Sequence, residues 1–191
     1  MGYDRNYSGN IMLMNTSIKD LDDDKIVEYV AFLPQEIFLK NGTIRSNIEL
    51  AVPNADDKSI MHYANIAVID KEIENMLNGY DFELINNSSN ISQGQKQRIG
   101  LIISLLKEKP YIFLDECFSS IDQHTASQIF KNIVSISNQT LIMTTHRIFP
   151  EIMDMFDKIY LLDKGRIVAF GSSEELRDNT LYKAIEKEGE N

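Results

Sequence analysis

The sequence contains 191 residues, 43% of them hydrophobic and 25% charged, and its net charge is −10 at pH 7. These values correspond to one domain or one large part of a domain, and they exclude wholesale disorder, collagen-like repeats and coiled coil. The acidic balance argues against a nucleic-acid binder, because neutralising phosphates requires a basic face. The single cysteine, Cys117, excludes an internal disulfide framework and fits a reducing cytosol, and no apolar run approaches the roughly 20 residues that span a bilayer.

The first half of the chain reads as short strands followed by helices. Residues 11–14 and 27–33 are rich in apolar side chains, many of them β-branched or aromatic in the second segment, and predict strands. Residues 43–49 and 56–77 predict helices, since the apolar residues of the longer segment recur near a 3.6-residue period. A polar loop is expected over residues 78–90.

The second half alternates helices with strands. A helix is predicted from Ser92 to about Lys107, and Pro110 stops it. The remaining predicted elements are a strand at 111–114, a helix at 126–136, a strand at 140–145, a hairpin of 159–162 and 166–170, and a terminal helix whose capping box pairs Ser172 with Glu175. This alternation predicts an α/β fold with a mostly parallel sheet, whose functional loops lie at the carboxyl ends of the strands.

Two acidic residues follow the apolar strand at 111–114. Asp115 and Glu116 are therefore expected at the crevice where α/β folds bind ligands. An aspartate there suits Mg²⁺, which proteins hold through one or two carboxylates together with phosphate oxygens, and an adjacent glutamate can activate a water for attack on a γ-phosphate. The alternative is that the two acids only cap the next helix.

Neutral side chains follow two other predicted strands. His146 comes directly after the strand at 140–145, where an imidazole could hydrogen-bond a γ-phosphate or orient the attacking water. Gln35 follows the strand that ends at Leu33 and could meet the water shell of a metal. The alternative for His146 is a surface histidine that caps a strand.

Two further segments carry helix-cap signals. Ser92, Gln93, Gly94 and Gln95 open the helix that runs to about Lys107, and such a helix N-terminus can bind an anion. Ordinary capping of a core helix explains the same residues. Ser119-Ser-Ile-Asp122 follows the acidic strand closely, and its simpler interpretation is a turn that caps a helix.

Together these segments resemble the nucleotide-binding domain of ATP-binding cassette (ABC) transporters. Five of them occur in the order and approximate spacing of that family: Leu33–Gln35 resembles the Q-loop, Asn90–Arg98 the signature, Tyr111–Glu116 the Walker B strand with its catalytic glutamate, Ser119–Asp122 the D-loop, and His146 the switch histidine. Two more stretches, residues 34–48 and Gly79-Tyr-Asp81, are similar to the exporter type. Five motifs in order over nearly the whole chain make chance a poor explanation.

The resemblance implies a P-loop NTPase-like ABC ATPase domain with a helical signature subdomain. It divides the chain into residues 1–40 with the Q-loop, residues 41–109 with the signature, and residues 110–191 with the remaining motifs and the C-terminal hairpin and helices. It implies ATP and Mg²⁺ as ligands. The roles that it implies are Asp115 and Gln35 at the metal, Glu116 and His146 as catalytic residues, and Gln35, Ser92, Gln93, Gly94, Gln95, Ser119 and Asp122 at the nucleotide.

The resemblance also implies partners. These are a second nucleotide-binding domain, in a homodimer or heterodimer, and the transmembrane domain of an exporter, with no nucleic acid. The chain would then lie in the cytoplasm, at the cytoplasmic face of the membrane. Its signature helix would complete an ATP site together with the Walker A loop of the other domain.

The sequence departs from the family in four places, one of which is Cys117 and Phe118, at positions beside Glu116 that are usually small or polar. Gln93 replaces the first glycine of the commonest signature, and Asn86, Asn87 and Ser88 stand where exporters carry a glutamate and glycines. The phosphate-binding pattern G-x-x-x-x-G-K-[ST] occurs nowhere in the 191 residues. Residues 3–11 resemble the stretch after the Walker A helix, so we expect an N-terminally truncated domain with exposed apolar strand residues and poor binding of Mg·ATP.

Three interpretations of function remain open at this point. The first is the C-terminal part of an exporter ATPase. The second is a catalytically incompetent subunit or fragment that only donates its signature to a partner. The third is an ABC ATPase of the DNA-maintenance type, against which the acidic charge, the exporter-like segments and the lack of a coiled-coil insertion all argue.

Overall fold

The structure is a computed structural model that describes residues 6–136, 138–147 and 150–189. Residues 3–5 of the predicted match at 3–11 therefore lie outside the described residues. The helices of the described part are α1 (Asp23–Tyr29), α2 (Ile44–Ala51), α3 (Asp57–Ile66), α4 (Asp70–Glu74), α5 (Gln93–Leu106), α6 (Gln123–Ile136), α7 (Pro150–Met153), α8 (Ser173–Leu176) and α9 (Thr180–Gly189). The strands are β1 (Met12–Leu13), β2 (Thr16–Ser17), β3 (Val30–Leu33), β4 (Gly42–Thr43), β5 (Glu83–Leu84), β6 (Tyr111–Asp115), β7 (Thr140–Thr144), β8 (Ile159–Asp163) and β9 (Arg166–Gly171).

A parallel three-stranded sheet forms the centre of the fold, in the order β3-β6-β7. Leu33 pairs with Leu114, which pairs with Met143, and Asp115 pairs with Thr144. The three strands therefore end at one edge of the sheet, as the predicted parallel arrangement requires. The α/β fold class is confirmed.

The C-terminal hairpin is also confirmed. Strands β8 and β9 pair antiparallel, with Asp163 opposite Arg166. Lys164 and Gly165 between them both have positive φ, which is the backbone of the two-residue turn that suits a right-twisted hairpin. In the described part of the chain, no hydrogen-bonded ladder joins this hairpin to the central sheet.

Several predicted elements of the first half are wrong in their extent. The strand predicted over 11–14 is reduced to β1, and the loop predicted over 78–90 contains β5. Residues 27–33 are not one strand, because α1 continues to Tyr29 before β3 begins. Asp22 precedes that helix and two more aspartates occupy its first turn, where acidic side chains favour the positive end of the helix dipole. The single helix predicted over 56–77 is broken between α3 and α4 at Val68, whose φ is +53°.

Helix α5 confirms its predicted start and end, and it holds the sheet and the helices together. Its buried residues include Ile99, Leu101 and Ile102. Gly100 allows close approach to β3, because a Cβ at this position would lie 2.9 Å from side-chain atoms of Leu33 and Ile37. This contact sets the position of the residues that follow β3.

The end of the chain differs from the single terminal helix that was predicted. The capping box of Ser172 and Glu175 is confirmed, since each residue's side chain accepts a hydrogen bond from the other's backbone N–H. The helix that it starts, α8, has only four residues. The next helix, α9, begins at Thr180, where the Asn179 side chain accepts hydrogen bonds from the N–H groups of two following residues.

Apolar side chains remain exposed on part of the sheet and on the hairpin. Phe32 of β3 is 37% exposed and Ile142 of β7 is 40% exposed, at the two ends of one register row. On the hairpin the exposed apolar residues are Tyr160, Leu162, Ile167, Val168 and Phe170.

Candidate active site at the carboxyl edge of the sheet

Three of the predicted site residues, Gln35, Glu116 and His146, meet where β3, β6 and β7 end. The side-chain amide of Gln35 donates a hydrogen bond from Nε2 to Glu116 Oε2 at 2.7 Å. His146 Nδ1 lies 3.3 Å from the same oxygen. The Glu116 side chain is 31% exposed and that of His146 is 63% exposed, so the carboxylate is the more sheltered member of the group. The structure thus brings Gln35 and His146 to one carboxylate oxygen, although Gln35 and Glu116 lie 81 residues apart in the sequence.

The backbone of Glu116 takes an uncommon conformation. Its φ is +46°, a left-handed value that costs a residue other than glycine of order 1–3 kcal/mol. Its N–H still donates to the carbonyl of Thr144 at 3.1 Å. The chain therefore turns sharply directly after β6, and the backbone of Glu116 is held at the sheet edge by the neighbouring strand.

Asp115 is fixed by a partner that the sequence analysis missed. Oγ1 of Thr144 donates a short hydrogen bond to Asp115 Oδ1 across the paired strands. Because the two residues stand opposite each other in the parallel register, pairing of β6 with β7 would have revealed this contact. A carboxylate held in this way at a strand end suits Mg²⁺, which takes one or two carboxylates plus phosphate oxygens.

The residues next to Glu116 are buried. Cys117 and Phe118 both pack in the main core. Burial raises the pKa of the Cys117 thiol to about 12, so the group is a packing residue at neutral pH. The bulk of these two side chains beside Glu116 thus serves the core below the sheet edge.

The predicted signature residues form a second group at the start of α5. Ser92 Oγ accepts a hydrogen bond from the N–H of Gln95 at 3.1 Å, and Gln95 Oε1 accepts one from the N–H of Ser92 at 2.9 Å. These two bonds make a complete capping box. The Gln95 side chain is thereby engaged inside the cap, whereas Gln93 is exposed and Gly94 is buried.

The start of α5 packs directly on the predicted D-loop. A Cβ at Gly94 would lie 2.8 Å from the Ser120 carbonyl oxygen, so only glycine fits this approach. The buried amide of Gln97 donates to Ser119 Oγ and accepts from the N–H of Ser120, both at 3.3 Å. Sequence reasoning missed Gln97, although a glutamine within the buried face of α5 is a signal for an internal polar contact.

Asp122 acts as a helix cap in the structure. Its Oδ1 accepts the N–H of Thr125 at 2.9 Å, at the first turn of α6. This backbone hydrogen bond is the main reason why the pKa of Asp122 lies below its usual value. The capping interpretation of the segment Ser119–Asp122 is therefore realised, and a role toward a nucleotide stays a prediction.

The described residues contain no group of three or more His, Cys, Asp or Glu side chains arranged to hold a metal ion by themselves. A magnesium ion at Asp115 would therefore take most of its other ligands from water and phosphate oxygens. Among the helices of the described residues, none combines the length and the apolar character needed to cross a membrane.

Comparison with known proteins identifies the family. A model of the ABC transporter family matches residues 1–119. The chain is 35% identical over 170 residues to the mesentericin-Y105 transport/processing ATP-binding protein MesD of Leuconostoc mesenteroides, covering 88% of this chain and 23% of that protein. It is 32% identical over 185 residues to the microcin-J25 export ATP-binding/permease protein McjD of Escherichia coli, covering 95% of this chain and 31% of that protein.

The fold agrees with a solved structure of the same kind. A bacterial Atm1-family ABC exporter with ATP bound superimposes with a TM-score of 0.86 at 29% identity, over 94% of this chain and 32% of that one. The chain thus spans about a quarter to a third of the length of these proteins. The matched family model covers more than half of the chain. The chain belongs to the ABC transporter family.

Proposed function

We propose that this chain is part of the ATP-binding and ATP-hydrolysing unit of an ABC exporter, in which hydrolysis drives transport across a membrane. The observation that carries the proposal is the convergence of Gln35 and His146 on the carboxylate of Glu116. The names of MesD and McjD as transport and export proteins support the assignment to exporters. The proposed site is at the cytoplasmic face of the membrane, beneath the transmembrane domain of the transporter.

The proposed chemistry is attack of water on the γ-phosphate of ATP. The oxygen of the water forms a bond to the γ-phosphorus while Glu116 accepts a proton from that water. The bond from the γ-phosphorus to the β,γ-bridging oxygen breaks, which releases ADP. Gln35 and His146, which both contact the Glu116 carboxylate, orient the water and sense the γ-phosphate. Asp115 holds Mg²⁺, which neutralises charge on the phosphates when it is bound.

The chain contains the residues that are proposed to act in hydrolysis, but it lacks the phosphate-binding loop. The G-x-x-x-x-G-K-[ST] pattern, whose backbone N–H groups and lysine cradle the phosphates, is absent from the 191 residues. Asp115, Glu116 and the net charge of −10 repel a polyanion. In the proposed assembly the Walker A loop therefore comes from residues outside this sequence, and the isolated chain binds Mg·ATP weakly.

The start of α5 is proposed to act on a second cassette. Ser92, Gln93, Gly94 and Gln95 would face the γ-phosphate held by that cassette, with Ser119 and Asp122 at the same interface. The observed contacts of Gly94 and Gln97 with residues 119–120 support this grouping, because they make the two motifs one surface. The division of the chain into units 1–40, 41–109 and 110–191 belongs to the same proposal.

The runner-up is a catalytically incompetent partner or fragment that only donates its signature in trans. The two functions differ in what they require of Glu116. In the assembled exporter, Glu116→Gln should abolish ATP turnover under the first and leave it intact under the second, while ATP-dependent dimerisation persists in both. Glu174→Gln, at an exposed glutamate of α8, is the matched control. Retained turnover in the Glu116→Gln exporter would remove this residue from its proposed role.

A further inference from the structure

A network of hydrogen bonds joins the first turn of α5 to α4. The Arg98 guanidinium donates from Nη1 to Glu72 Oε1 at 2.6 Å and from Nη2 to Glu72 Oε2 at 3.0 Å. The Arg98 side chain is only 11% exposed, so this bidentate pair is sheltered on one side. Its Nε also donates to the carbonyl of Gly94, at 3.3 Å.

The same carboxylate holds the side chain of Gln95. Gln95 Nε2 donates to Glu72 Oε2 at 3.1 Å while its Oε1 accepts the N–H of Ser92. Partial burial alone would raise the pKa of Glu72, but the hydrogen bonds from Arg98 and Gln95 outweigh it and lower that pKa. The network therefore contains an ionised carboxylate at neutral pH.

The orientation of the Gln95 amide explains why this carboxylate matters. An amide can present either its oxygen or its NH₂ group to the backbone N–H of Ser92, and only the oxygen can accept that hydrogen bond. At the capping box of α8, Glu175 presents a carboxylate, which has an oxygen in either orientation. At α5 the correct orientation is selected by Glu72, because it accepts from the NH₂ end of Gln95.

Arg98 also reaches the break between α3 and α4. Its Nη1 donates to the carbonyl of Val68 at 2.7 Å. Val68 is β-branched and has a φ of +53°, a conformation that is a genuine outlier for such a residue. A strained junction in one segment is thus hydrogen-bonded to the same guanidinium that steadies the start of α5.

We propose that the Glu72–Arg98 pair is a positioning device for the signature turn: it fixes the Gln95 amide in the cap and holds the first-turn N–H groups of α5 in the orientation that a phosphate requires. The inference rests on the proposed function, in which this turn faces the γ-phosphate of a second cassette. Glu72 and Arg98 act through Gln95 and the helix start, and are positioning residues. Because Gln95 is neutral, its side chain places no negative charge in the cap of α5. Glu72 fixes the orientation of the Gln95 amide by accepting a hydrogen bond from its NH₂ group.

The first test uses the chain itself and needs no nucleotide. Amide hydrogen exchange at Ser92 is measured in Glu72→Gln, with Glu74→Gln on the same helix as the matched control, since Glu74 is also exposed. Loss of a charge-assisted acceptor predicts exchange at Ser92 that is about tenfold faster in Glu72→Gln and unchanged in Glu74→Gln. Glu72→Asp, which keeps the charge, should recover part of the protection. Unchanged exchange at Ser92 in Glu72→Gln would overturn the inference.

The second test uses the assembled exporter and separates the inference from the function on which it rests. Glu72→Gln should lower kcat for ATP hydrolysis by about tenfold with little change in KM, because it disturbs the orientation of the signature turn. If Glu116→Gln abolishes turnover while Glu72→Gln leaves kcat unchanged, the positioning role is wrong. If Glu116→Gln also leaves turnover intact, it is the proposed function that fails.

Discussion

Helix α5 and the β8–β9 hairpin are both rich in apolar residues, yet they meet opposite environments. Nine residues of α5 are buried, including Leu101 at 1% exposure, and its first turn is capped and tied to α4. On the hairpin, Leu162 is 63% exposed and Phe170 is 61% exposed. Apolar side chains are therefore buried on the helix that packs on the sheet, and many are exposed on the hairpin.

One face of the central sheet also has exposed apolar side chains, as the hairpin does. Parallel sheets are normally covered on both faces, because their connections run across them as helices. Phe32 and Ile142 nevertheless remain exposed on β3 and β7. An apolar element that packed on this face would cover Phe32 and Ile142. The start of α5 is already packed against other parts of the chain.

The difference in burial between α5 and the hairpin is tested most strongly by making the same substitution in both regions. Leu101→Ala should lower the free energy of unfolding by about 2–5 kcal/mol, because it opens a cavity in the core. Leu162→Ala on β8 should change it by less than about 0.5 kcal/mol, since the side chain is largely exposed. Chemical denaturation of the two variants measures both values. Equal losses would mean that the hairpin residue is as well packed as the helix residue.

Native-state hydrogen exchange sharpens the comparison without a mutation. Amides in the middle of α5 should exchange only through opening of the whole core. Those of β8 and β9 should exchange at least about tenfold faster through local opening, because few buried apolar contacts hold the hairpin down. Equal protection in the two regions would contradict the difference that their burial implies.

A smaller effect is expected at the turn that supports α5 from the other side. Asp122→Ala removes the N-cap of α6 and should cost about 1 kcal/mol of stability near neutral pH. The folded-state pKa of Asp122 is lowered, so its contribution is fully present above the unfolded-state pKa and is lost as pH falls through the folded value.

Asp122→Asn separates the cap from its charge. An asparagine oxygen caps almost as well, so this variant should keep most of the stability at neutral pH and lose the acid-dependent part of the decline. Urea titrations at neutral pH and at low pH give both numbers. If the unsubstituted chain and Asp122→Asn show the same dependence of stability on pH, this carboxylate makes no contribution to it.

Much of the candidate site was predictable because its residues follow strands directly. Once β3, β6 and β7 are parallel and adjacent, Gln35, Glu116 and His146 must lie at one edge. The helix from Ser92 was equally clear, since its cap and its terminating proline are local signals. These features depend on neighbours in the sequence, and that is why reading the sequence finds them.

Other features depend on packing that no local pattern records. β-Branched and aromatic content favoured a strand over 27–33, but Ile26 packs with Leu13 and Val30 in a separate small core, and the helix α1 takes part of that segment. The contacts of Thr144 and Gln97 exist only because separate elements meet. The break at Val68 is a tertiary effect, since its left-handed backbone runs against the preference of a β-branched residue.

The central claim is that this chain carries the hydrolytic edge of an ABC ATPase without the residues that grip the phosphates. Isothermal titration of Mg·ATP into the isolated chain tests it most directly. The account predicts no saturable binding heat, with a dissociation constant weaker than about 1 mM, because acidic residues face the nucleotide without a phosphate-binding loop. A dissociation constant of about 10 μM or tighter, lost in Asp115→Asn, would show that the chain binds the nucleotide by itself and would contradict the claim.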